Sequence, residues 1–167
     1  MPAGATFEPI ATTTLGSAVA TFDFTSISGS YTDLVLILNA RTASGANSAY
    51  VRFNSDSGSN YSGTYLYGTG STAGSARYTS TTLLYSDYYG YPPSGSNTFN
   101  LMIMNIMNYS NTTTNKTVIA RSNSASTGVD GLVGLWRSTA AITSITIGCA
   151  SNFQIGTTAT LYGIKAA

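Results

Sequence analysis

The sequence contains no histidine, one cysteine and few charges of either sign. Without histidine the chain cannot assemble a Ser-His-Asp or Cys-His catalytic unit, nor a histidine metal site. A single cysteine, Cys149, excludes an intramolecular disulfide and a cysteine zinc site. Its setting, Ile145-Thr146-Ile147-Gly148-Cys149, predicts a small buried strand residue. Charged residues make up 8% of the chain, against about 25% in an ordinary soluble domain. The formal net charge is +1, with no run of lysine or arginine, so the footprint of a phosphate-binding protein is missing and no nucleic-acid partner is expected. The longest apolar run, Leu34 to Leu38, is far shorter than the ~20 residues that span a bilayer, so no membrane partner is expected. The first residues, Met1 to Thr6, carry no basic segment or apolar stretch of signal-peptide length, which makes synthesis in a cytoplasm the expectation. There is no phosphate-cradling G-x-x-x-x-G-K segment and no dinucleotide fingerprint. No cofactor and no enzymatic activity are expected.

Serine, threonine, asparagine, glycine and tyrosine stand where lysine and glutamate usually lie. Ser, Thr and Asn compete with helical backbone bonds, whereas strands accept Thr and Tyr readily. Short apolar or alternating runs recur between Gly/Ser/Asn-rich segments. They read as strands at Ala18 to Phe24, Leu34 to Arg41, Tyr50 to Phe53, Tyr65 to Tyr67, Leu83 to Tyr85, Phe99 to Met107, Thr117 to Arg121, Leu132 to Arg137, Ile142 to Ile147 and Ala159 to Lys165. Leu34 to Arg41 is nearly continuous in its apolarity, the pattern of a central strand buried on both faces. The spacing predicts an all-β fold, an antiparallel β-sandwich of jelly-roll type with about 8–10 short strands. One domain is expected over 18–167, preceded by a polar, turn-prone N-terminal arm over 1–17 that orders on docking, with Phe7, Glu8 and Ile10 as its contact residues.

The carboxylates are Glu8, Asp23, Asp33, Asp56, Asp87 and Asp130. Asp56, Asp87 and Asp130 read as turn residues, where aspartate bonds nearby backbone. Asn54-Ser55-Asp56-Ser57-Gly58-Ser59-Asn60 is rich in oxygen but lacks the glycine position and closing glutamate of a calcium loop, so it too reads as a turn. Tyr65, Tyr67, Tyr85, Tyr88, Tyr89 and Tyr91 crowd one third of the chain. The first two are as well explained by packing within a sheet as by contact with a partner. Tyr88, Tyr89 and Tyr91 lie in a loop stiffened by Pro92-Pro93 and are the candidates for a contact surface, since tyrosine offers large amphipathic area at low entropy cost.

The stretch Ser30-Tyr31-Thr32-Asp33-Leu34-Val35-Leu36-Ile37-Leu38-Asn39-Ala40-Arg41 resembles a strand of small bacteriophage virion surface proteins. So do Val51-Arg52-Phe53-Asn54-Ser55-Asp56 with Asn60-Tyr61-Ser62, and the segments Ile142 to Ile147, Phe153 to Thr157 and Leu161 to Lys165. The resemblance covers most of the chain after Ala18 and implies a β-sandwich on the outer surface of a virion, often a homotrimer. The expected role is a capsid decoration or cement protein, with other virion proteins as partners and the major capsid protein first among them. The alternative is a tail-fibre or receptor-binding module that holds host-surface glycans on its tyrosine loop.

Overall fold

The structure is a computed structural model that describes residues 6–44, 48–94 and 97–165. Twelve strands account for its regular structure: β1 (Phe7–Thr14), β2 (Val19–Phe24), β3 (Asp33–Ala40), β4 (Ala49–Phe53), β5 (Tyr61–Gly68), β6 (Ala73–Thr81), β7 (Leu84–Tyr85), β8 (Asn100–Met107), β9 (Lys116–Ser124), β10 (Gly128–Trp136), β11 (Ile145–Phe153) and β12 (Thr158–Ile164). They form two antiparallel sheets, one ordered β1-β12-β3-β8-β9-β10-β5-β6 and the other β2-β11-β4-β7. The all-β sandwich predicted from the strand spacing is present, with twelve strands rather than eight to ten.

The strand order explains the extra width. Without the hairpins β5–β6 and β9–β10, the remaining strands lie as β1-β12-β3-β8 and β2-β11-β4-β7. The chain then alternates between the sheets at every step except β4 to β7, which are neighbours in the smaller sheet, and this is jelly-roll wrapping. The two hairpins pair with each other through β5 and β10 and extend the larger sheet beyond β8. β12 lies between β1 and β3, and β11 lies between β2 and β4.

The interior follows the period of two. β3 turns Leu34, Leu36 and Leu38 inward, and β8 turns Met102, Met104 and Ile106 onto them. β9 adds Val118 and Ala120, while the smaller sheet answers with Phe24, Val51, Phe53, Ile145 and Ile147. Trp136 on β10 stacks on Tyr61 at 6.4 Å, and its Nε1 donates to Asp56 Oδ2 at 2.6 Å. Asp56 also accepts from the Gly58 N–H and from Asn60 Nδ2, so its carboxyl organises the turn that the sequence predicted. Cys149 is a buried strand residue of β11, as expected.

The segment 1–17 differs from the expected arm. Residues 1–5 lie outside the described residues, but Phe7–Thr14 forms β1, an edge strand paired with β12. Pro9 is compatible with that place because an edge strand has one unpaired side. A register shift between Pro9 and Ala11 leaves Ile10 unpaired, and its side chain packs against the core. Of the three residues assigned to arm contacts, Ile10 is therefore partly buried, Glu8 pairs with Lys165 at 2.8 Å, and Phe7 alone presents an exposed ring. β6 is the second departure: Gly68 to Ala76 reads in the sequence as a Gly/Ser/Thr-rich loop, but Ala73–Thr81 forms a strand.

Candidate binding site

Two surfaces stand out. The first is the outer face of the larger sheet. Cross-strand pairing aligns Val35, Asn105, Ile119, Val133 and Thr64 in one row, and Ile37, Ile103, Arg121, Gly131 and Leu66 in the next. Leu66, Ile119, Val129 and Val133 are each more than half exposed, and Leu101 and Met107 are exposed as well. A shallow depression of about 360 Å³ lies in this face, lined by Phe7, Val35, Ile37, Ile103, Asn105, Ile119, Ala120 and Arg121. The apolar run of β3 predicted cover on both faces. Among the described residues the smaller sheet covers one face and no layer covers the other. Arg77 and Arg121 are charged and point to this outer face, with Asp33 at a corner, where its Oδ1 accepts the Asn108 N–H; Lys116 and Asp130 of the same sheet are buried on its inner side, and Glu8 pairs with Lys165.

The second surface arises from the mismatch in sheet width. The smaller sheet ends at β7, whose contacts reach β5 and β10. Beyond it the inner face of the hairpins is closed by tyrosine rings and by the segment 86–94. Tyr65 stacks on Tyr88 with centroids 4.5 Å apart, Tyr67 meets Tyr89 at 4.5 Å, and Tyr88 meets Tyr89 edge-on at 5.0 Å. The tyrosines that crowd one third of the sequence thus converge in space. Tyrosines also have a packing role: the rings of Tyr78, Tyr67, Tyr50 and Tyr31 lie over Gly63, Gly74, Gly148 and Gly163, where a Cβ would fall within 2.8 Å of ring atoms. Aromatic cover of a strand glycine is a known device for holding register.

Asp130 fastens the loop. Its Oδ2 accepts the backbone N–H groups of Tyr88 (2.9 Å), Tyr89 (2.8 Å) and Gly90 (2.5 Å), and the Ser122 hydroxyl at 3.2 Å. Gly90 passes so close to β9 that a Cβ there would lie 2.7 Å from the Ser122 carbonyl carbon. Asn100 Nδ2 donates to Gly90 O, Thr127 Oγ1 donates to Tyr89 O, and Thr42 N donates to Pro93 O, so the strap is tied at several points. Asp130 is a residue of β10, not of a turn as the sequence reading had it.

Between the strap, β5, β6 and β10 lies a cavity of about 290 Å³, lined by Ser48, Tyr65, Tyr78, Tyr85, Asp87, Tyr88, Asp130 and Leu132. Tyr85 and Tyr88 line it and are themselves exposed, Tyr88 by 48%, so it communicates with solvent on their side. Tyr89 and Tyr91 are half-buried and do not line it, which separates them from Tyr88. Asp87 is fully buried, and burial followed by the nearby charge of Asp130 pushes its carboxyl well above the usual range, opposed by donors from Ala49, Ser86 and Ser48. Burial and the neighbouring tyrosines push the Tyr65 phenol up to about 12. Both Asp87 oxygens take internal donors, whereas Asp130 Oδ1 is buried and has no hydrogen-bond partner. Among the described residues no group of three or more His, Cys, Asp or Glu side chains is placed to hold a metal ion. The arrangement offers one acceptor atom inside a box of aromatic rings. That chemistry suits a hydrogen-bond donor.

No family model and no curated protein matches this chain.

Proposed function

We propose that the chain is a structural protein of a bacteriophage virion surface, a capsid decoration or cement protein that docks on the shell through the outer face of its larger sheet. One observation carries the reading: an eight-stranded face whose centre is aliphatic and which no part of the described chain covers. Exposed apolar patches of this kind mark contact surfaces. Arg77 and Arg121 give the face a positive character, so its partner presents an apolar patch with acidic residues beside it, as a major capsid protein surface can. A repeating shell multiplies such contacts and raises their effective concentration. The resemblance in sequence to small phage virion proteins points the same way, and a homotrimer remains part of this proposal.

Immunogold labelling of intact particles tests the location. Label spread over the head is the expected result, and label confined to the tail tip would refute the cement role. Ile119→Asp combined with Val133→Asp should abolish particle binding while leaving the fold intact, because both side chains point to solvent in the free protein. The tyrosine loop, Tyr88, Tyr89 and Tyr91, supports a second reading, a tail-fibre or receptor-binding module for host glycans, since aromatic faces stack on sugar rings. Normal adsorption by virions carrying Tyr88→Ala, Tyr89→Ala and Tyr91→Ala would remove it.

A further inference from the structure

We infer that the tyrosine cavity beside Asp130 binds an alkylammonium group, either a free amine or the side chain of a lysine. This does not depend on the virion reading. The cavity is walled by the rings of Tyr65, Tyr78, Tyr85 and Tyr88 and floored by Leu132. Asp130 is part of the lining, 6% exposed, and its buried Oδ1 is the one atom among the lining side chains that is buried without a hydrogen-bond partner. A buried acceptor without a donor is rare, because it forfeits the hydrogen bonds it had in water. The sister oxygen is fully engaged by four donors, so the side chain cannot swing to satisfy both.

The ligand must therefore donate to one oxygen and tolerate aromatic faces on its other sides. An ammonium on an alkyl stem does both: it donates to Oδ1, and ring faces attract a cation held over them. A pyranose ring fits less well, since each of its hydroxyls needs a partner and, apart from the tyrosine hydroxyls at the ring tips, the remaining polar lining is Ser48 and an Asp87 already bonded to Ala49, Ser86 and Ser48. The volume, about 290 Å³, lies at the low end of the roughly 300–1,000 Å³ of small-molecule sites, which suits one side chain rather than an oligosaccharide.

The test follows the amide resonances of Tyr88, Tyr89 and Gly90 by NMR while n-butylammonium, n-butanol, methyl glucopyranoside and N-acetyl-lysine amide are titrated at constant pH and ionic strength. Saturable shifts with n-butylammonium and little response to n-butanol are expected. Equal affinity for N-acetyl-lysine amide identifies the amine alone as the recognised group, and tighter binding identifies a lysine within a polypeptide. Asp130→Asn keeps an oxygen for the loop donors but turns an amide toward the cavity, and should weaken binding at least tenfold. Tyr88→Leu should weaken it about two- to fivefold, and it carries the test if Asp130→Asn does not fold. Equal responses to n-butanol and n-butylammonium, saturation by the glucoside alone, or unchanged affinity in both variants would overturn the inference.

Discussion

Replacing Asp130 by alanine removes the oxygen on which three consecutive loop amides converge. The Gly90 bond is buried, and leaving its donor without a partner costs about 1–3 kcal/mol. The Tyr88 and Tyr89 amides are partly buried and recover water in part, so each adds roughly 0.5–1.5 kcal/mol. The expected total is about 4 kcal/mol. For a chain of this size 1 kcal/mol moves Tm by about 2–4 °C, so the fall should be about 8–16 °C. Asp130→Asn retains an acceptor and should cost about 1 kcal/mol. Urea unfolding followed by fluorescence of Trp136, the single and buried tryptophan, measures the difference. Amide exchange at residues 88–90 localises it. An alanine variant within about 0.5 kcal/mol of the parent, the range of ordinary surface substitutions, would refute the claim that Asp130 fastens the strap.

Gly148→Ala should cost about 1–3 kcal/mol in the same assay, because its Cβ would fall 2.2 Å from the Tyr50 ring, while Gly131→Ala, with nothing within 4 Å, should cost under about 0.5 kcal/mol. Asp87 binds its proton more tightly folded than unfolded, so stability should fall as pH rises above the ordinary aspartate range; Asp87→Asn should abolish that fall in urea melts taken from pH 4 to 8. Asp56 has the opposite sign: burial raises its pKa, but bonds from Trp136, Asn60 and Gly58 outweigh it, and stability should be lost as pH drops below about 4. Asp56→Ala should remove that acid-side loss, seen in urea melts extended from pH 5 down to about pH 2.

The strands with one apolar face were legible in the sequence because burial imposes a period of two. β3, β4, β8 and β12 sit within a residue or two of their expected bounds. β1 and β6 were not, for a common reason. Both are edge strands with mostly exposed side chains, so neither needs an apolar alternation, and the start of β6 falls in the Gly/Ser/Thr-rich segment Gly68 to Ala76 that reads as a loop. Asp130 was hidden by its following glycine, yet it stands in phase with Leu132, Gly134 and Trp136, and that phase was the available signal. The crowding of tyrosines was visible along the chain. Their meeting with Asp130 was not, because it depends on the β5–β10 register, which sets Tyr67 opposite Asp130 and Tyr65 opposite Leu132.

The placement of β11 and β12 has a consequence for how the chain comes into being. Both are made last among the twelve strands, yet each takes a seat between two strands made early. At about 5–20 residues per second, a ribosome needs roughly ten to thirty seconds to reach them. Throughout that time β1 and β3, and β2 and β4, have no shared neighbour to join them. Neither sheet can zip from one end in order of synthesis, so the jelly roll is expected to close late, after β12 has left the ribosome.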